Sequence, residues 1–329
     1  MSRSQLLEQI TNIRPQQFDP IALNVFRYQA RHNPIYAEYL DLLRINPTQV
    51  TAATDIPHLP IALFKTHELK SGNWTPERTF TSSGTTGSTT SHHHLRNERF
   101  YRDHTVSSFE RQYGSLKGRA VFALLPSYLE RTGSSLVVMA EEFIQRSCHP
   151  NSGFFLNDLA GLAEALQRNR DNHLPPLLIG VSFALLDLAE QYPQNLGSTI
   201  VMETGGMKGR RRELTRTELH QQLSQAFGLY RIHSEYGMTE LLSQAYAPRD
   251  GRFHPAATLR ASTRQVTDPF SPAGVGRTGV LNLTDLANLD TISFIATDDL
   301  GRVYEDGSFE VLGRLDASDV RGCNLLVLE

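Results

Sequence analysis

Between Phe80 and Gly87 the chain reads Phe-Thr-Ser-Ser-Gly-Thr-Thr-Gly, five hydroxyl residues and two glycines in eight positions after a short β-like lead-in. Glycine permits positive φ and close backbone approach, and hydroxyls with successive N–H groups give many donors to anionic oxygens, so the run suits a phosphate. Ser82, Ser83, Gly84, Thr85, Thr86 and Gly87 are its candidate binding residues. No Lys follows the second glycine, so neither the P-loop nor the dinucleotide fingerprint is met. Taken alone, Gly, Ser and Thr in a cluster are also ordinary loop chemistry.

The elements downstream place further candidates. From Ala120 apolar strand-like runs (120–125, 177–179, 199–202 and 229–233) alternate with helix-like stretches near 134–146, 157–168 and 182–191. Thr215-Arg216-Thr217-Glu218 has the form of a capping box opening a helix to about Phe227. This alternation predicts an α/β fold with a mainly parallel, helix-covered sheet, whose ligand crevice lies beyond the carboxyl ends of the strands. Two turns fall there: Glu203-Thr204-Gly205-Gly206-Met207 and Ser234-Glu235-Tyr236-Gly237-Met238-Thr239-Glu240. Gly205 and Gly206 would let backbone lie along a planar ring, Tyr236 would pack on it, and Glu240 would ligate Mg²⁺ on phosphates. Either turn could equally be plain strand-to-helix geometry with Tyr236 in the core.

Length and composition narrow the classes. At 329 residues, 40% hydrophobic and with a formal net charge of -3, the chain is a globular protein of about two domains with no basic field for nucleic acid. The two cysteines, Cys148 and Cys323, form no disulfide framework or metal spacing, which fits a reducing cytoplasmic setting. No apolar run is long enough for a membrane span, and the N-terminus has no signal-peptide core. Residues 1–56 read as a helical lead with Leu6, Leu7, Ile10, Ile21, Leu23, Val25 and Phe26 on buried faces. Residues 57–250 read as the α/β nucleotide-binding core, and 251–329 as a smaller β-rich subdomain with a hairpin at Glu305-Asp306-Gly307.

Four segments in order, Ser82–Gly87, Tyr236–Glu240, Thr297-Asp298-Asp299-Leu300-Gly301 and Gly313-Arg314-Leu315-Asp316, resemble the signature motifs of adenylate-forming enzymes. That resemblance implies ATP cradled by the first loop, adenine near Gly205, Gly206 and Tyr236 within a nucleotide-binding set that includes Glu235, Gly237 and Thr239, Mg²⁺ on Glu240, ribose on Asp299, and Arg314 near ribose and phosphate. Ser127–Leu136, Glu203–Gly209 and Asp319-Val320-Arg321-Gly322-Cys323 further resemble the acyl-protein synthetases, best known as the fatty-acid–protein ligase subunits of bacterial luminescence. Over the span from about residue 57 to the end, this implies a fatty or other carboxylic acid activated as acyl-adenylate and passed to Cys323, then to an acyl reductase or other acceptor protein. The implied catalytic residues are Cys323, Glu240 and Arg314.

The pattern departs from the superfamily where the chain stops at Glu329, so the mobile C-terminal lid with its catalytic lysine is expected to be missing. Lys65, Lys208, Arg321 and His93 are candidates for the absent charge. Asp298 stands where a glycine often precedes the ribose carboxylate. The alternatives are a coenzyme A or carrier-protein ligase, and a nucleotide-binding subunit without catalysis. The His92-His93-His94 run is expected as a polar loop bordering the phosphates, since adjacent histidines seldom converge on one ion.

Overall fold

A computed structural model describes residues 1–82, 90–126, 133–205 and 214–315. The chain divides into two compact units: Met1–Glu77 with Gly84–Arg96 and His254–Glu329, and Arg78–Ser83 with Asn97–Phe253.

The second unit holds the mainly parallel sheet. Its strands run in the order Ala245–Ala247, His233–Tyr236, Ile200–Thr204, Leu177–Val181, Val121–Leu124 and Gly153–Phe154. All neighbours are parallel except the first pair, where the chain doubles back antiparallel. The runs 121–124 and 177–181 are buried throughout, the continuous apolar pattern of strands covered on both faces. Helices Glu98–Tyr113, Ser135–Ser147, Leu159–Asn169, Ser182–Gln191 and Arg216–Phe227 supply that cover, and Phe109, Phe143, Leu162, Leu185 and Leu223 join the strands in one core. The capping box is present: Thr215 Oγ1 accepts from the Glu218 N–H, and the Glu218 carboxylate accepts from the Thr215 N–H at 2.8 Å.

Two expectations need correction here. The last parallel strand lies at His233–Tyr236, four residues later than the run 229–233 suggests, and Tyr230 is 98% exposed. Ser234 and Glu235 are therefore strand residues, and Glu203 and Thr204 likewise end a strand.

In the first unit the four-stranded antiparallel sheet 259–264, 279–285, 294–303 and 309–314 carries Leu59–Pro60 parallel to its third strand. The hairpin at 305–307 is present, with the Tyr304 N–H donating to the Ser308 carbonyl at 2.9 Å. The helical lead consists of Arg3–Thr11, Phe18–His32 and Pro34–Leu42, with Leu6, Ile10, Ile21, Val25 and Phe26 buried as their spacing predicts, whereas Leu7 and Leu23, expected on the same faces, are only half-buried. What periodicity does not foretell is that these helices pack on the C-terminal strands. Gln29, fully buried, donates to the carbonyls of Asn288 and Leu289 at 2.9 and 3.1 Å and accepts from the Ser293 N–H at 3.0 Å.

His92–Leu95 is a strand, not a loop. His93 is buried, its ring edge-on to Phe64 and its Nε2 3.1 Å from the Thr291 hydroxyl. That packing, which alternates outward and inward residues along the strand, replaces the expected border of the phosphates with a core position. Among the described residues no helix is long and apolar enough to cross a membrane.

Candidate functional site

In the second unit the candidate residues gather at the carboxyl ends of two neighbouring strands. Glu203 stands opposite Ser234 and Thr204 opposite Glu235 in the parallel register. Side chains alternate across a strand, so Glu203, Ser234 and Tyr236 share one face and Thr204 and Glu235 the other. The chain then turns through Gly237, Met238, half-buried Thr239 and Glu240 before returning at Ala245. Glu240 is only 6% exposed although it is a loop carboxylate.

The two strand carboxylates have opposite electrostatics. Burial opposes ionisation of Glu203, but His220, Arg216 and Ser234 outweigh it and hold the carboxyl below its ordinary range. Arg216 Nε donates to Glu203 Oε1 at 3.2 Å, and His220 Nε2 lies 3.6 Å from the same oxygen. Among the described residues no cation pairs with Glu235 in this way. Burial pushes it up to about 7, a hydrogen bond from the Thr204 hydroxyl at 2.5 Å pulls the other way, and the Glu203 charge adds to the rise. Two buried carboxyls whose proton affinities are pushed apart in this way are an arrangement that active sites exploit.

Gly237 packs against the Glu235 carboxyl. A Cβ there would stand 2.5 Å from Glu235 Oε1, so the carboxyl lies directly against the turn. Ser182, at the start of the helix after the 177–181 strand, donates to the Gly205 carbonyl at 2.7 Å, just beyond the end of the 200–204 strand. Upstream, the strand Arg78–Thr81 that leads into the Ser/Thr/Gly run is tied by the Thr81 N–H to the Gly133 carbonyl at 2.8 Å. A Cβ on Gly133 would meet the Thr81 hydroxyl at 2.8 Å, and its φ is +97°. Ser82 is the last described residue of the run; Ser83, Gly84, Thr85, Thr86 and Gly87 lie outside the described residues, as do Gly206, Lys208, Arg321 and Cys323.

In the first unit the Thr297-Asp298-Asp299 segment lies on the strand 294–303, and Asp299 pairs in register with Arg314 on 309–314. Half-buried Asp299 accepts an ion pair from the exposed Arg314 at 3.7 Å, Nε to Oδ1. The Asp299 N–H donates to the Thr297 hydroxyl at 3.1 Å, and that hydroxyl donates to the Leu281 carbonyl at 2.8 Å. Arg264 braces the segment, donating to the Thr297 carbonyl and to Asn282 Oδ1, each at 2.6 Å. Lys65 is exposed at the end of a short 3₁₀ turn. Cys148, exposed, caps the helix Ser135–Ser147 in a left-handed conformation.

Sequence reasoning passed over four residues that build these turns: Thr204, Ser182, Arg216 and Arg264. The capping box marks Arg216 as a first helical residue, but its partner Glu203 is set by tertiary packing and leaves no local signal.

An α/β unit with a mainly parallel sheet beside a second, antiparallel unit is a fold this chain shares with a solved 2-hydroxyisobutyryl-CoA ligase. MatB from Rhodopseudomonas palustris, solved with ATP bound, superposes with a TM-score of 0.54 at 16% identity over 72% of this chain and 47% of MatB. A 2-hydroxyisobutyryl-CoA ligase in complex with 2-HIB-AMP gives 0.68 at 14% identity over 91% of this chain and 68% of the ligase. The same ligase with 2-HIB-AMP and CoA gives 0.67 at 15% identity over 96% and 70%. The chain thus spans about half the length of MatB. The sequence matches no family profile and no curated protein.

Proposed function

We propose that this protein is an ATP-dependent ligase that activates a carboxylic acid as its acyl-adenylate. The observation that carries it is the pair of carboxylate-bearing strand ends, with the turn that leads from one of them to the buried Glu240, within a fold whose solved neighbours hold ATP and 2-HIB-AMP. Mg²⁺ is commonly held by one or two carboxylates plus substrate phosphates, so one buried oxygen donor in the turn fits it, and Glu240 is the residue assigned to that ion. The ion would neutralise charge on the phosphates. Tyr236 and Gly205 take the adenine ring, Asp299 accepts hydrogen bonds from the ribose hydroxyls, Arg314 contacts ribose and phosphate, and Ser82 opens the phosphate-binding run. The acid's carboxylate attacks the α-phosphorus and the bond to pyrophosphate breaks; a thiolate then attacks the acyl carbon of the mixed anhydride, forming the thioester as the acyl C–O bond breaks and AMP leaves.

The proposed acceptor thiol is Cys323, with a fatty acid as substrate and a reductase or other acceptor protein downstream, as in acyl-protein synthetases. Acid-dependent ATP–pyrophosphate exchange tests the first step. Incubation with ATP, Mg²⁺ and labelled fatty acid, followed by neutral hydroxylamine, tests the second: Cys323→Ser should keep exchange and lose the protein-bound label. A second proposal, transfer to coenzyme A, is favoured by the neighbour solved with both 2-HIB-AMP and CoA. Coenzyme A consumption without protein labelling supports it. Absence of exchange with every acid tried leaves a nucleotide-binding subunit without catalysis.

A further inference from the structure

The geometry points to Arg216 as a positioning residue for the nucleotide, holding Tyr236 in place by joining Glu203 to Phe253. This inference rests on the adenylation proposal for the role of Tyr236, and its geometry is independent of it. Arg216 is the first residue of the helix Arg216–Phe227. A cation there opposes the positive end of the helix dipole, so the position is unfavourable unless an anion compensates it. Glu203, the penultimate residue of its strand, is that anion, taking the Arg216 Nε–H at 3.2 Å.

The same guanidinium covers the Phe253 ring, its central carbon 5.1 Å from the ring centroid. Phe253 in turn meets Tyr236, ring centroids 5.7 Å apart and planes 57° from parallel. The arginine stem is walled in at Gly251, where a Cβ would come within 3.2 Å of Arg216 Cδ. One side chain thus links the ends of two adjacent strands, Glu203 on one and Tyr236 on the other, outside the sheet's own hydrogen bonds. A planar fork hydrogen-bonds at its edge while its face lies on a ring; an ammonium on a flexible stem does not do both.

The test is titration of ATP into wild type, Arg216→Lys, Tyr236→Ala and the double variant Arg216→Lys/Tyr236→Ala, with acid-dependent exchange kinetics on the same proteins. Arg216→Lys keeps the charge beside Glu203 and so guards against a simple failure to fold. It should weaken ATP binding about tenfold, the size of coupling seen between contacting residues. In exchange the loss should appear as a raised ATP KM, with kcat and the acid KM within about threefold of wild type. Placed on Tyr236→Ala, the Lys substitution should add little, because the ring it positions is gone. Wild-type ATP affinity in Arg216→Lys, or losses that multiply in the double variant, overturn the inference. ATP binding that behaves as expected in a protein showing no exchange with any acid removes the adenylation proposal and leaves the positioning role intact.

Discussion

Glu235→Gln should stabilise the protein, and the gain should grow with pH. The Glu235 carboxyl is 7% exposed and burial, opposed by the Thr204 hydrogen bond and reinforced by the Glu203 charge, lifts it from an ordinary 4.5 to about 7. Below pH 4.5 the group is protonated in folded and unfolded chains alike and costs nothing. Between pH 4.5 and 7 the unfolded chain releases its proton while the folded one retains it, so stability falls as pH rises; above 7 the full cost of a buried carboxylate is present. A rise of this size corresponds to about 3 kcal/mol at 1.36 kcal/mol per unit. Glutamine has the same shape, still offers an oxygen to the Thr204 hydroxyl, and carries no charge toward Glu203. Urea unfolding of both proteins at pH 5, 6, 7 and 8 gives the comparison, read from midpoint and slope. Glu235→Gln should be the more stable by less than about 1 kcal/mol at pH 5 and by about 3 kcal/mol at pH 8. A difference that is flat across that range, or one that favours wild type at pH 8, refutes the electrostatic account of this carboxyl.

Glu240→Gln should slow adenylation by about 10²–10³-fold, the usual effect of losing one charge-stabilising group, and near-normal exchange in the folded variant removes Glu240 from the metal-holding role. Asp299→Ala should raise the apparent ATP KM strongly with little change in the acid KM; unchanged nucleotide affinity counts against the ribose assignment. Gln29→Leu should lower stability by about 2–4 kcal/mol, since it removes the donor to the Leu289 carbonyl and the acceptor of the Ser293 N–H, both buried, and one of the donors to the Asn288 carbonyl. A thermal midpoint within 1 °C or so of wild type would show that these groups find other partners.

Where local chemistry decides structure, the sequence was a good guide. The apolar run at 182–191, the Thr215/Glu218 box and the Asp306-Gly307 turn carry their own instructions, and each lies where its residues predict. The strand ends were misjudged because Glu203, Thr204, Ser234 and Glu235 are polar and read as loop. They extend the strands because Arg216, His220 and the Thr204–Glu235 bond satisfy them inside the fold. His93 misled in the same way: a histidine triplet reads as polar loop, and only the distant Thr291 and Phe64 make its middle member a core residue. The attachment of the helical lead to the C-terminal strands through Gln29 joins positions some 260 residues apart, beyond the reach of any periodicity. The order of the turn motifs was legible because each is contiguous in sequence, whereas the side chains that brace them, Arg216 and Arg264, are brought in from other elements.

Acyl-adenylate formation is most directly tested with a carboxylic acid carrying ¹⁸O in both carboxyl oxygens, incubated with ATP, Mg²⁺ and the protein, followed by mass spectrometry of the nucleotides after capture by hydroxylamine or thiol. Attack of the carboxylate on the α-phosphorus leaves one ¹⁸O in the phosphate of AMP, with unlabelled pyrophosphate released. Appearance of ADP with ¹⁸O in inorganic phosphate, or AMP without label, would contradict adenylation at the acid.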